Sequence, residues 1–150
     1  MDKTDRRILA LLQEDADRPA AAIAELVGLS PTPCWRRIQK MKKSGVIRAM
    51  VALADPQAVG LGLDVFVGIE ARDHSREWLE TFTDTVIVMD EVMEIYRMAG
   101  DTDYLLRVAV RDMNHFDDFY HRLIEAVPCK NVTSQFAMER VKYTTAYPTN

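Results

Sequence analysis

Between residues 20 and 43 two helix-forming runs, AAAIAELV and PTPCWRRIQKMKK, are separated by only Gly28, Leu29 and Ser30. That spacing leaves few folds open. Gly28 stands where a helix end favours a left-handed residue, which glycine adopts without a Cβ clash. Ser30 is placed to cap the next helix, and Pro31 opens it, where a missing N–H closes no helix bond. Pro33 still lies within that first turn. Helix, three-residue turn, helix is the spacing of a helix-turn-helix. A preceding helix is expected over 2–15, capped by Asp2, with Ile8, Leu9, Leu11 and Leu12 as an apolar stripe ended by Arg18-Pro19. The second helix should turn Ile23, Leu26 and Val27 inward.

Winding the third helix at 100° per residue divides its side chains. Thr32, Arg36, Gln39, Lys40 and Lys43 fall on one face. Cys34, Ile38 and Met41 fall on the opposite face with Trp35 beside them, and Arg37 lies at the flank. The cations thus point away from the small core. Charge supports a polyanion as their partner. The chain's net charge is -4, yet residues 1–50 hold ten Lys/Arg against six Asp/Glu, and residues 51–150 hold nine against seventeen. A basic module on an acidic body is the expected arrangement.

After Gly45 the run SGVIRAMVAL (44–53) is β-rich, and a strand here would pair with a partner or fold back on the helices. ADPQAVGLG (54–62), with Pro56, Gly60 and Gly62, reads as a hinge. Beyond it the hydrophobic period changes. Strands are expected over 63–71, 92–99, 104–110 and 132–143, and helices over 75–89 and 112–127. The first of these helices turns Trp78, Leu79, Phe82 and Val86 inward; the second turns Phe116, Phe119, Tyr120, Leu123, Ile124 and Val127 inward. GDTD (100–103) is the tight turn between the middle strands. The order βαββαβ gives a ferredoxin-like αβ sandwich with both helices on one face of the sheet. Phe66, Ile95, Arg107 and Ala109 are assigned to the other face, and a second copy of the chain is its economical cover.

The fold class is therefore α+β: a winged-type helix-turn-helix domain over 1–50, a hinge strand and linker over 51–62, and a ferredoxin-like domain over 63–150 for ligand binding and oligomerisation. No apolar run nears the roughly 18 residues of a membrane span. MDKTDRRILALLQED is too charged for a signal peptide's apolar core, so a cytoplasmic protein is expected. Cys34 and Cys129 form no CxxC, and no metal, cofactor or catalytic constellation is expected.

Four runs in order, DKTDRRILALLQEDAD, AELVGLSPTPCWRRIQKMKKSGVI, MAGDTDYLLRV and VKYTTAYP, resemble the Lrp/AsnC (feast/famine) transcriptional regulators over essentially the whole chain. TPCWRR, RMAGDTDYLLRV and FAMERVKYTTAYP look most like the branch that answers to cysteine. The resemblance implies a non-enzymatic, sequence-specific DNA-binding regulator of amino-acid metabolism genes. It implies a homodimer that assembles further, commonly to an octamer, and a small amino-acid effector bound between dimers. The effector residues it implies are Met98, Gly100, Asp101, Thr102, Asp103 and Tyr104, with Thr133, Ser134 and Gln135 facing them. A zwitterion suits such a set: carboxylates meet its ammonium, and hydroxyls and backbone N–H groups meet its carboxylate.

On double-stranded DNA, the start of the third helix approaches base edges in the major groove. Arg36 is the candidate for a bidentate guanine contact and Gln39 for adenine. Ser30, Thr32 and Arg37 complete the interface, with Thr32 meeting a thymine methyl or a phosphate. Lys40, Lys42, Lys43 and Arg48 are expected to neutralise phosphates. A dimer reads a roughly palindromic operator. Three rivals are weighed against this reading. A sirohaem-decarboxylase-like enzyme would need His74, His115 or His121 to converge on a cavity. A redox regulator would need a reactive Cys34 or Cys129. An RNA binder would need stacking aromatics that YLLRVAV lacks.

Overall fold

The computed structural model describes residues 1–149 and divides them into two compact units, each with its own core. The first comprises residues 1–53 together with the segment from 141 onward; the second is Ala54–Arg140. The units part inside the 51–62 linker. Residues 141–149, expected with the ferredoxin-like domain, lie with the first unit.

The first unit holds α1 (Lys3–Glu14), α2 (Ala20–Val27) and α3 (Pro31–Lys43). Asp2 caps α1 in a complete capping box: its carboxylate accepts from the Asp5 N–H at 2.8 Å, and the Asp5 carboxylate accepts from the Asp2 N–H at 3.0 Å. Gly28 ends α2 at φ 74°, and the Leu29 N–H closes back on the Ala24 carbonyl at 2.8 Å. The core is Ile8, Ile23, Ala24, Val27, Cys34, Ile38 and Met41. Leu26, expected inward, is 53% exposed, and Trp35 is 54% exposed. Three short helices enclose too little volume to bury them as well.

Residues 46–53 form no strand. The Ile47 N–H closes on the Met41 carbonyl at 3.1 Å, and the chain then continues without regular structure, with Met50, Val51 and Leu53 exposed. The strand expected here needs a neighbour, a partner copy or the chain's own first unit; among the described residues no strand pairs with 46–53. The segment 141–149 instead lies against α1. The Gln13 side-chain amide donates to the Tyr147 carbonyl at 3.0 Å, and its oxygen accepts the Tyr147 N–H at 2.8 Å. Further along, the Thr149 hydroxyl donates to the Arg6 carbonyl at 3.3 Å.

The second unit is β1 (Leu63–Ala71), α4 (Arg76–Val86), β2 (Val92–Arg97), β3 (Tyr104–Val110), α5 (Met113–Ala126) and β4 (Cys129–Phe136). The sheet order is β2-β3-β1-β4, antiparallel throughout, the ferredoxin-like arrangement. Alternation sorts each strand between two faces. Val65, Val67, Ile69, Leu106, Val108 and Val110 pack under Trp78, Phe82 and Val86 of α4 and Phe116, Phe119 and Leu123 of α5. Ser75 caps α4 through the Trp78 N–H, and Asp112 caps α5 through the His115 N–H.

Two expectations shift for reasons of pairing. Ile95 packs with the core, not on the open face, because the β2–β3 register shifts between Val92 and Glu94 and moves the alternation by one. β4 starts at Cys129 and stops at Phe136 rather than spanning 132–143. Its partner β1 sets that limit: Phe136 pairs with Val65, and the Ala137 N–H closes on the Asp64 carbonyl at 3.0 Å. The open face carries a charged network. Arg107 pairs with Asp64 and with Glu94, each at 2.9 Å, and Arg140 also meets Asp64.

Candidate nucleic-acid interface and effector site

α3 begins with little spare hydrogen-bonding capacity. Pro31 and Pro33 carry no N–H, and the Cys34 N–H bonds the Ser30 carbonyl at 3.3 Å. Ser30 holds the extended cap conformation, yet its hydroxyl caps nothing, so the expected Ser30 cap is absent. Ser30, Thr32, Arg36, Lys40, Lys43 and Arg48 are exposed and Gln39 is half-buried. Among the described residues, neither Arg36 nor these lysines enter an ion pair. Trp35 stands exposed beside Gln39 on the helix, rather than against the core.

Arg37 differs from the other cations. One guanidinium nitrogen, Nη1, lies 2.6 Å from Asp2 Oδ2 and 2.6 Å from Asp5 Oδ1. The remaining oxygen of each carboxylate serves the capping box. The Asp5 N–H and the Arg37 guanidinium hold the Asp2 carboxyl below its ordinary range. Burial by itself would raise Asp5, but the Asp2 N–H and Arg37 outweigh it and the net shift is downward. Arg37 is correspondingly raised by the two carboxylates. A depressed folded-state carboxyl contributes stability above its unfolded value, near 3.9, and loses it as pH falls through the folded value. Acidification below about 4 should therefore lower the thermal midpoint of the wild type more than that of Arg37→Gln, as circular dichroism melts at stepped pH would report.

Both thiols are unsuited to redox sensing. Cys34 is fully buried in the first core, and burial pushes its thiol up. Burial raises Cys129 too, and its Sγ donates to the Val127 carbonyl. A raised thiol pKa lowers the thiolate fraction on which redox chemistry depends. The histidines have separate partners: His74, in the loop before α4, lies beside Asp103, and on α5 His115 meets Glu91 at 3.1 Å while His121 lies near Asp117. Among the described residues no three metal-binding side chains converge.

The nine residues expected at the effector site divide between the two faces. Tyr104 is buried on the helix face, its ring 4.6 Å from Phe82 and 5.9 Å from Trp78. Ser134 pairs with Val67 and shares that face. Strand alternation thus sets both on the face opposite Thr133 and Gln135. Thr133 and Gln135 pair with Gly68 and Phe66 on the open face. Thr102 joins them: its methyl lies 3.4 Å from where a Cβ on Gly68 would stand. Gly68 was not singled out by sequence, though a glycine inside a strand is a signal of close approach. Asp103 anchors the turn. Its N–H bonds the Ile69 carbonyl at 2.9 Å, and its carboxylate accepts the Ala71 N–H at 2.8 Å. Met98, Gly100 (φ 136°) and Asp101 are exposed around it. What the structure brings together is Thr102, Gly68, Thr133 and Gln135, edged by the exposed turn.

Comparison with known proteins bears on both units. Residues 1–42 match the AsnC-type helix-turn-helix domain, and residues 64–147 match the Lrp/AsnC ligand binding domain. The chain is 49% identical over 149 residues to the DNA-binding transcriptional activator DecR of Escherichia coli strain K12, covering 99% of this chain and 98% of that one. It resembles the crystal structure of an AsnC family transcriptional regulator from Agrobacterium tumefaciens with a TM-score of 0.95 and 53% identity, over 99% of this chain and 97% of that one. A transcriptional regulator from Neisseria meningitidis, solved as a complex with L-Met, matches with a TM-score of 0.96 and 35% identity, over 100% and 97% of the two chains. No helix among the described residues is long and apolar enough to cross a membrane. A helix-turn-helix unit with an acid-free face of exposed cations, a ferredoxin-like unit that follows it in the chain and these matches across both lead to one assignment: the chain belongs to the Lrp/AsnC family of DNA-binding transcriptional regulators.

Proposed function

We propose that the chain reads a roughly palindromic operator as a homodimer, or as a higher assembly such as an octamer, and that a small amino acid modulates its assembly or DNA affinity. The observation that carries this reading is α3, whose outward face holds Arg36, Lys40 and Lys43 without an ion pair among the described residues while its other face is tied up in the core. Arg36 and Gln39 read bases; Thr32, Lys40, Lys43 and Arg48 meet phosphates or thymine methyls. Ser30 lies at the same end of the helix. Such a protein works in the cytoplasm, where its DNA is. An enzyme reading is less favoured, because His74, His115 and His121 each answer to a different carboxylate.

The effector site in this reading centres on Thr102, Gly68, Thr133 and Gln135, with Asp101 and Met98 at its edge and Gly100 and Asp103 shaping the turn. Cysteine is the first amino acid to test. L-Met is the second, since the Neisseria regulator is solved with it. The experiment is a footprint on the chain's own upstream DNA at one fixed salt, with and without each amino acid. Salt is fixed because the phosphate contribution alone moves affinity by orders of magnitude. Thr102→Val with Thr133→Val should raise the effector concentration needed about tenfold or more, each lost hydroxyl bond to a charged ligand weakening binding. DNA binding without effector should not change. Protection that no amino acid alters would sink the effector half of this reading; no protection at all would sink the whole.

A further inference from the structure

We propose that Arg37 is a positioning residue and not a DNA contact: with Asp2 and Asp5 it clamps the reading helix α3 to the first turn of α1. This rests on the DNA-binding reading above. Arg37 adjoins Arg36 in sequence, and its charge would ordinarily count toward the phosphate-binding surface. Its surroundings argue otherwise. Both carboxylates lie 2.6 Å from the same guanidinium nitrogen, and all four of their oxygens are engaged, two by Arg37 and two by the capping box. The trio carries one negative charge in excess, which the N-terminal end of the α1 dipole offsets in part. A phosphate approaching Arg37 therefore meets more repulsion than attraction.

The clamp also answers a need of the fold. α3 is held to its core by only three fully inward side chains, Cys34, Ile38 and Met41. Three apolar contacts along one line leave rotation about the helix axis weakly determined. Arg37 lies off that line, about 100° from Arg36 around the axis, and its two short, directional bonds set the rotation. Arg36 and Gln39 inherit their aim from it. Guanidinium suits this use because its rigid fork of donors holds carboxylates in fixed geometry.

The test uses the full chain, the strongest site in its upstream footprint, and a random duplex of equal length, with affinities measured across a salt series. Arg37→Gln removes the clamp from one side. Asp2→Asn with Asp5→Gln removes it from the other while keeping residues that cap a helix start. Both variants should lower the operator-over-random ratio roughly tenfold, with the salt slope unchanged, and combining them should do no further harm. Lys43→Ala, the phosphate control, should instead reduce the slope by about 0.9 and leave the ratio intact. Arg37→Lys keeps the charge without the fork and should fall between wild type and Arg37→Gln.

A smaller salt slope in Arg37→Gln, with tighter binding of every DNA when the two carboxylates are neutralised, would make Arg37 a phosphate contact and overturn the proposal. An unchanged ratio in both variants would overturn it equally. Effector binding by the second unit and the thermal midpoint of each variant separate lost aim from lost fold: a ratio that falls only where the first unit melts counts against the clamp. A wild-type chain that binds no DNA at all is a separate failure, that of the DNA-binding reading.

Discussion

Replacing Arg36 with alanine should erase most of the preference for one base pair in each half-site and leave binding to random DNA nearly as it was. Arg36 is exposed, lies on the outward face of α3 and enters no ion pair among the described residues. A well-placed bidentate arginine–guanine pair discriminates by about 1–3 kcal/mol, so the preference should fall by roughly 5- to 150-fold per half-site. Lys43→Ala is the contrast, weakening all duplexes about equally and reducing the dependence on salt. A binding survey over base-substituted operators reads both effects. The reverse pattern, with Arg36→Ala acting uniformly and Lys43→Ala relaxing one base, would reject this division of labour.

Phe82→Ala should be among the most destabilising substitutions in the second unit, at about 3–5 kcal/mol. Phe82 is 1% exposed, stacks on Trp78 at 5.1 Å with planes 8° apart, and meets Tyr104 at 4.6 Å. The cavity left behind would open on both rings, and aromatic contacts of this kind add to the loss from burial alone. Against a typical total of 5–15 kcal/mol this is a large share. Tyr104 directly follows the Asp103 anchor, so the turn before β3 should loosen before the sheet unfolds. Denaturant titration followed by tryptophan emission checks it, because Trp78 is buried while Trp35 is already exposed. A midpoint shift under about 1 kcal/mol would mean the site collapses around the smaller side chain.

Local rules made much of this fold readable from the chain. Asp2, Gly28 and the inward stripe of α5, apart from Ile124, which is exposed, each fix an element through chemistry within a few residues. What escaped depends on distant partners. The displaced alternation of β2 arises from a register shift against β3, and the end of β4 from the length of β1. Tyr104 and Ser134 stood among the effector residues that the family resemblance implied, and the pleat turns both toward the helices. Trp35 and Leu26 were assigned inward by helical phase, but a core of seven residues has no room for them. Arg37 looked like its cationic neighbours because its carboxylate partners are over thirty residues away. Gly68 carried a readable signal, a glycine inside a strand, and only the Thr102 methyl above it gives that signal a purpose.

The rung between Gln13 and Tyr147 has a consequence for synthesis. A growing chain emits α1, α2 and α3 first, and the whole of Ala54–Arg140 must follow before Tyr147 leaves the ribosome. Domains fold as their residues emerge, so the later-made unit is finished while the earlier-made one still lacks its last contacts. The DNA-reading unit is thus started first and completed last. A nascent or prematurely terminated regulator would hold its reading helices without the segment that fastens the back of α1.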